Sequence, residues 1–180
     1  MSNTSSANSL KVRRLTYAAM SLALAFVLPF LTAHNPKLGN ILCLMHIPVL
    51  LCGFLCGWPW GLAVGFIAPL FRHLFLTMPP MPTALIMAFE LAVYGCAAGF
   101  LYRKFPKTIP GIYASLLIAM VLGRVVWGIA SLLLIGNGFT FATFLSGAIT
   151  TAIPGIVIQL IVIPVIVYAL EKAGLNANKD

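Results

Sequence analysis

The chain has 180 residues, of which 61% are hydrophobic and 8% charged, and its mean hydropathy is +1.04. Soluble domains carry roughly 25% charged residues, so this composition excludes an ordinary soluble protein and predicts an all-α integral membrane protein. The length holds about six spans of ~20 residues, which excludes a separate ATPase, kinase or receptor domain within these residues. The net charge of +8 does not indicate a nucleic-acid partner, because basic residues of membrane proteins gather where orientation is set.

The N-terminal segment 1–14 is rich in serine and asparagine and ends in Lys11, Arg13 and Arg14, and we expect it to be disordered. The apolar run that follows, about 15–33, is long enough to span a membrane. No clean small-x-small cleavage site follows it, so we interpret it as a retained helix and not as a signal peptide. Its small residues leave a smooth strip on which another helix can pack.

Two short apolar runs, about 41–55 and 62–76, flank a break at 57–61 and predict a helical hairpin. Pro59 cannot continue the first helix, and glycines relieve crowding at the bend. The loop 77–82 contains three prolines and is predicted to be a semi-rigid connection. Within each arm, small residues four apart would clear one helix face for close packing; they are Gly53, Gly57, Gly61 and Gly65.

Three further spans, about 83–102, 109–135 and 146–170, complete a membrane domain over 15–170, and a polar tail over 171–180 follows. Six spans place both termini on one side. Positive residues mark the cytoplasm, so we predict a six-transmembrane-helix bundle with both termini cytoplasmic. The basic residues on that side are Lys11, Arg13, Arg14, Arg103, Lys104, Lys107, Lys172 and Lys179, whereas the loops of the other side contain only Lys37.

Three charged residues, Arg72, Glu90 and Arg124, fall within predicted spans. Counting ~1.5 Å per residue from the helix ends places all three at a similar depth in the outer half. Since a charge in lipid costs at least a few kcal/mol, the three should face the bundle interior and each other. In one interpretation, a single Glu–Arg pair locks the helices together and the second arginine snorkels outward. In the other, Glu90 orients one arginine, and the remaining positive charge attracts an anionic or carboxylate-bearing solute.

Uncharged polar and aromatic residues near the outer side extend this candidate site. Each histidine fits either a hydrogen-bonded interface residue or a cavity wall, and three phenylalanines of the last outer loop (139, 141 and 144) either cover the cavity or anchor the loop. The four cysteines lie in or beside apolar runs without a second ligand pair, so we predict no metal site. No catalytic residue is predicted. The candidate substrate-binding residues are Arg72, Glu90, Arg124, His46, His73, Asn40, Asn137 and Gln159.

Three motifs give the chain a resemblance to a known family: Ala19-x-x-x-Ala23, the run 45–54 (MHIPVLLCGF) with 57–61 (GWPWG), and Pro69-Leu70-Phe71-Arg72 continuing into Met78-Pro79-Pro80. Over nearly its whole length the chain resembles the substrate-binding (S) component of energy-coupling factor (ECF) vitamin transporters. The resemblance implies a multi-pass protein of a prokaryotic cell membrane that binds a vitamin tightly. The implied cavity opens outward and is formed mainly by helices 4 to 6 and the outer loops between helices 1 and 2 and between helices 3 and 4.

The resemblance also implies partner chains. A transmembrane coupling protein would dock on Ala19 and Ala23, and two cytoplasmic ATPases would use ATP while the S component topples in the membrane. This chain has no ATP-binding glycine loop, and we expect no cofactor in it. The MHIP sequence and the proline-rich loop are similar to those of pantothenate-type members. Folate, a phosphorylated or pyridoxine-like compound, or a deazapurine is also compatible with a positively charged cavity.

Three other functions are weighed against this interpretation. A membrane enzyme is disfavoured because Glu90 has no second intramembrane carboxylate with which to form an acid/base pair. A self-sufficient carrier usually needs titratable relays through the whole span, and the inner halves of spans 1, 2, 5 and 6 have none. A structural subunit without a ligand would make the buried charges packing devices.

Overall fold

The computed structural model describes residues 2–32, 43–136, 140–147 and 153–178. These residues form helices and contain no strand. Five of the helices are long and apolar enough to cross a membrane, and α2 is a shorter apolar helix, so the prediction of an all-α integral membrane bundle is confirmed. The elements are α1 (Ser2–Val27), extended by a 3-10 turn (Leu28–Thr32), α2 (His46–Cys56), α3 (Trp58–Leu76), α4 (Thr83–Lys104), α5 (Ile109–Ile135), the short α6 (Phe141–Leu145) and α7 (Ile153–Lys172).

The first helix begins earlier than the sequence predicts. The prediction is a disordered segment over 1–14, whereas α1 is helical from Ser2. Once a helix is nucleated, each added residue gains one hydrogen bond, so a spanning helix extends into polar residues at low cost. Arg13 and Arg14 donate hydrogen bonds to the carbonyl oxygens of Gly174 (3.0 Å) and Ala177 (2.9 Å). These contacts hold the two ends of the chain at the same end of the bundle.

The break between α2 and α3 is a single residue, Gly57, which adopts a φ of 94°. Side chains other than glycine rarely adopt that conformation, so the glycine allows one helix to follow the other directly. Pro59 occupies the first turn of α3, where its missing N–H is not needed. The arm α2 begins at His46, later than predicted, and α3 begins at Trp58, earlier than predicted.

Three helices meet backbone to backbone at Gly95 of α4. A Cβ atom added at Gly53 of α2 or at Gly61 of α3 would collide with the carbonyl oxygen of Gly95, and one added at Gly65 would collide with that of Leu91. The predicted close packing along the glycine strip is therefore confirmed. Because α3 and α4 are antiparallel, these contacts also define how the two helices are aligned along their length.

Gly95→Ala tests this crossing. At an exposed helix position, alanine stabilises the helix by roughly 1 kcal/mol more than glycine does, so without crowding the variant would be more stable than the wild type. We expect the opposite, a destabilisation of about 1–3 kcal/mol, because the added methyl meets the backbone of α3. Thermal unfolding of the purified protein in detergent measures it. Cys96→Ala, at the half-buried neighbouring position, is the control; a Gly95→Ala protein that melts at or above the wild-type temperature would contradict the packing.

The C-terminal tail is packed onto the same end of the bundle as the start of α1. Asn176, Ala177 and Asn178 are buried. The N–H of Ala177 donates to the carbonyl of Leu55 at the end of α2 (3.0 Å), and the Asn178 amide donates to the carbonyl of Gly99 (3.4 Å). The tail therefore satisfies the carbonyl of Leu55, which α2 leaves open at its C-terminal end, and also contacts the carbonyl of Gly99 within α4.

Removal of residues 174–180 should destabilise the protein by about 1–3 kcal/mol, since it takes away these donors and the acceptors of two arginines. Arg14→Gln should reproduce part of the loss. Lys11→Gln removes a nearby exposed charge and serves as the charge-matched control. Equal melting temperatures for the truncated, Arg14→Gln and Lys11→Gln proteins would show that the tail contributes nothing.

Candidate functional site

A buried ion pair lies at the centre of the site. Glu90 is near the middle of α4 and is only 2% exposed. Its Oε1 atom lies 3.1 Å from Nη1 of Arg124 on α5 and 3.6 Å from Nε2 of His46, the first residue of α2. The arginine that pairs with Glu90 is therefore Arg124, and three helices each contribute one polar side chain to the cluster.

Two residues of this cluster are missing from the sequence prediction. The ring of Tyr94, one turn after Glu90 on α4, packs edge-on against His46 with centroids 5.3 Å apart. The sulfur of Cys43, just before α2, lies 4.0 Å from Nη2 of Arg124. The spacing of Tyr94 four residues after Glu90 is a signal that sequence reasoning can use. Nothing in the sequence distinguishes Cys43 from the other cysteines.

Several buried polar atoms of these side chains have no hydrogen-bond partner within the described part of the chain. They are both ring nitrogens of His46, Oε1 of Glu90, Nε of Arg124 and Nη1 of Arg72. The contact between Glu90 and Arg124 is an ion pair by distance, but its angle does not make a hydrogen bond to Oε1. Buried polar groups are nearly always paired, and each unpaired one costs about 1–3 kcal/mol. These atoms therefore have hydrogen-bonding positions that the described residues leave unfilled.

Arg72 lies apart from the ion pair. It is buried, and its guanidinium is 5.7 Å from the ring centroid of Phe30 in the turn after α1. The glycine contacts between α3 and α4 place Arg72 level with Ala84, six residues before Glu90 and thus roughly 9 Å nearer the outer end. The prediction that the three charges share one depth is wrong, because counting from predicted helix ends ignores the alignment of the helices.

The remaining predicted site residues are distributed over other parts of the bundle. His73 shares a hydrogen bond with the carbonyl of Pro79 through Nδ1 (2.8 Å), so this histidine is tied to the proline-rich loop. Gln159 is buried on α7, which packs against α2 and α5, the helices of His46 and Arg124. Asn40 and Asn137 lie outside the described residues, as does His34, the third histidine of the chain.

The two alanines predicted to dock a partner lie on the face of α1 that points away from the bundle. Ala19 and Ala23 are exposed, as are the neighbouring Met20 and Leu24, whereas Ala18 and Ala25 face the bundle and are buried. The exposed face of α1 therefore carries two small residues one turn apart, between large apolar ones. Such a strip allows another helix to approach closely.

The family model for the substrate-specific component of ECF transporters matches residues 13–167. No curated protein and no solved structure matches the chain significantly. The match includes all or part of every described transmembrane helix and confirms the resemblance noted from the three motifs. The chain therefore belongs to the family of ECF transporter substrate-specific components, multi-pass cell-membrane proteins that bind solute and associate with the ECF module and are not enzymes.

Proposed function

We propose that this protein is the high-affinity substrate-capture subunit of an ECF-type ABC importer and binds a water-soluble, carboxylate-bearing vitamin or related micronutrient in an outward-facing cavity. Family membership supports the transport role. The observation that carries the choice of ligand is the polar cluster in which Glu90, Arg124 and His46 each have a buried polar atom without a hydrogen-bond partner in the described residues. A closed structural pair would be expected to satisfy its own hydrogen bonds.

The charge balance favours an anionic ligand. The chain has three acidic residues; Glu90 pairs with Arg124, and the other two, Glu171 and Asp180, belong to the C-terminal end of the chain. No carboxylate in the described residues therefore balances the buried charge of Arg72. An unpaired buried charge is costly, and a ligand carboxylate bound to the guanidinium would recover that cost.

The two parts of the site would then have different roles. Arg72 would hold the carboxylate, while Arg124, Glu90 and His46, already close to neutral as a group, would bind amide or hydroxyl groups. Their separation of roughly 9 Å along the helix axis suits an elongated molecule with an anion at one end. Pantothenate, which has a terminal carboxylate, an amide and hydroxyl groups, fits this division and is our first choice.

Binding measurements on purified protein test this division. Arg72→Gln should weaken pantothenate binding by roughly 10- to 100-fold, the cost of a lost charged hydrogen bond. Binding of the neutral alcohol analogue, pantothenol, should change little. The double variant Glu90→Gln/Arg124→Gln, which leaves no buried charge unpaired, should weaken both compounds. Folate, pyridoxine and its phosphate, and deazapurines form the comparison panel.

Two outcomes would count against the proposal. If wild-type protein binds none of these compounds, the Glu90–Arg124 contact between α4 and α5 is better explained as a structural lock. If Arg72→Gln weakens pantothenate and pantothenol equally, Arg72 does not bind the carboxylate. Wild-type protein reconstituted alone should bind solute without carrying it across the vesicle membrane; unaided transport would favour a self-sufficient carrier.

We infer further that delivery depends on partner chains. A transmembrane coupling protein would dock on the exposed strip of α1, and two cytoplasmic ATPases would supply energy from ATP while the S component topples in the membrane. This chain would then need no cofactor of its own. The exposure of Ala19 and Ala23 on the membrane-facing side of α1 supports this docking face.

Ala19→Trp and Ala23→Trp test the docking face. Each should leave ligand affinity unchanged and abolish uptake, because an indole prevents the close helix contact that small residues permit. Uptake is measured in cells or vesicles containing the whole transporter. Ala169→Trp, at an exposed position of α7, is the matched control and should transport normally. Wild-type uptake by both α1 variants would remove this face from the proposal.

A further inference from the structure

Arg124 contacts an aromatic ring as well as Glu90. Its guanidinium carbon lies 5.9 Å from the ring centroid of Trp127, three residues later on the same face of α5. That distance is within the range of a cation–π interaction, and arginine stacks on indole more readily than on other side chains. Since α5 runs toward the outer side, Trp127 lies roughly 4.5 Å farther out than Arg124 along the helix.

The same indole is covered by the short outer helix α6. The ring of Phe144 stacks on Trp127 with centroids 5.9 Å apart and an interplanar angle of 28°. Two glycines make room for these rings: a Cβ atom on Gly128 would collide with the Phe144 ring, and one on Gly147 would collide with the Trp127 indole. The outer segment 140–147 is therefore seated on α5 through two interlocking aromatic contacts.

These contacts form a continuous series from the buried ion pair to the outer segment: Glu90, Arg124, Trp127 and Phe144. A side chain that only anchors a loop at the membrane interface needs no contact with a partly buried guanidinium. The indole beside the guanidinium, with Phe144 stacked on it, reduces the contact of that charge with water, and charges interact more strongly where water is excluded. An arginine held by both a carboxylate and an indole also loses less freedom when a ligand binds.

We propose that Trp127 is the positioning residue for Arg124, and that Trp127 and Phe144 together form an aromatic cover on the outer side of the Glu90–Arg124 pair. The effect of the cover on ligand binding rests on the proposed function, whereas the contacts themselves are testable in the protein without ligand. Of the three phenylalanines predicted to cover a cavity or anchor the loop, this assigns Phe144 to a cover. Phe139 and the side chain of Phe141 lie outside the described residues.

The first experiment uses no ligand. The chain has three tryptophans, so the variant Trp58→Phe/Trp60→Phe leaves Trp127 as the only indole emitter. In this background, Phe144→Leu should increase quenching of Trp127 by acrylamide, because the stacked ring is lost. Phe100→Leu is the control: Phe100 is exposed and lies ten residues after Glu90, toward the C-terminal end of α4, so its loss should not change the quenching of Trp127. Adding Glu90→Gln/Arg124→Gln should change Trp127 emission, since the cation leaves the ring. Unchanged quenching overturns the cover, and unchanged emission overturns the positioning contact.

The second experiment measures ligand affinity with pantothenate and the comparison panel as probes. Trp127→Leu should weaken binding by roughly two- to thirtyfold, the range of a cation–π contact, whereas Trp127→Phe keeps a ring and should retain most of the affinity. Trp58→Leu, at the start of α3, is the control. Equal losses in the Leu and Phe variants overturn the positioning role. Wild-type protein that binds no probe overturns the proposed function, and the fluorescence experiment still decides the inference.

Discussion

The bundle is organised around one ion pair, which lies within the membrane-spanning helices, where an unpaired charge is strongly destabilising. Glu90 and Arg124 meet across α4 and α5 inside a protein whose outer surface faces lipid. Each alone would cost several kcal/mol, so the pair constrains which faces of α2, α4 and α5 turn inward. Yet the pair does not satisfy itself, since its buried atoms and those of His46 keep open hydrogen-bonding positions. That incompleteness supports the proposal of a binding site over that of a packing device.

The position of this pair depends on the crossing at Gly95. Three backbones approach there because α2, α3 and α4 carry no side chain at the contact points. The crossing aligns α2 with α4 so that His46 reaches Glu90, and it aligns α3 with α4 so that Arg72 lies farther out. A one-turn slip of α3 would bring a different residue to the level of the ion pair. Small residues at a helix crossing thus determine which side chains meet about one to three helical turns away.

The two ends of the bundle differ in how completely their polar groups are paired. At the end where the termini meet, aromatic and polar contacts fill the space: Phe54 packs on Tyr102, whose hydroxyl donates to Glu171, and the tail covers the helix ends. Toward the other end lie the incompletely paired polar groups and the aromatic contacts of α6. This difference between the two ends supports the proposal of an outward-facing site.

The sequence by itself determined the membrane class, the helical hairpin, the close-packed glycines and the family, because hydropathy, proline and glycine act through local geometry and are visible in one dimension. It also made Arg72, Glu90, Arg124 and His46 candidate site residues, since charged and polar residues are rare within apolar runs. Only the tertiary structure decided that Arg124 pairs with Glu90, that Tyr94 and Cys43 join them, and that the tail packs against α2 and α4. These facts depend on the alignment of helices that are distant in the chain, and that alignment follows from side-chain volumes meeting across an interface, which no stretch of sequence contains.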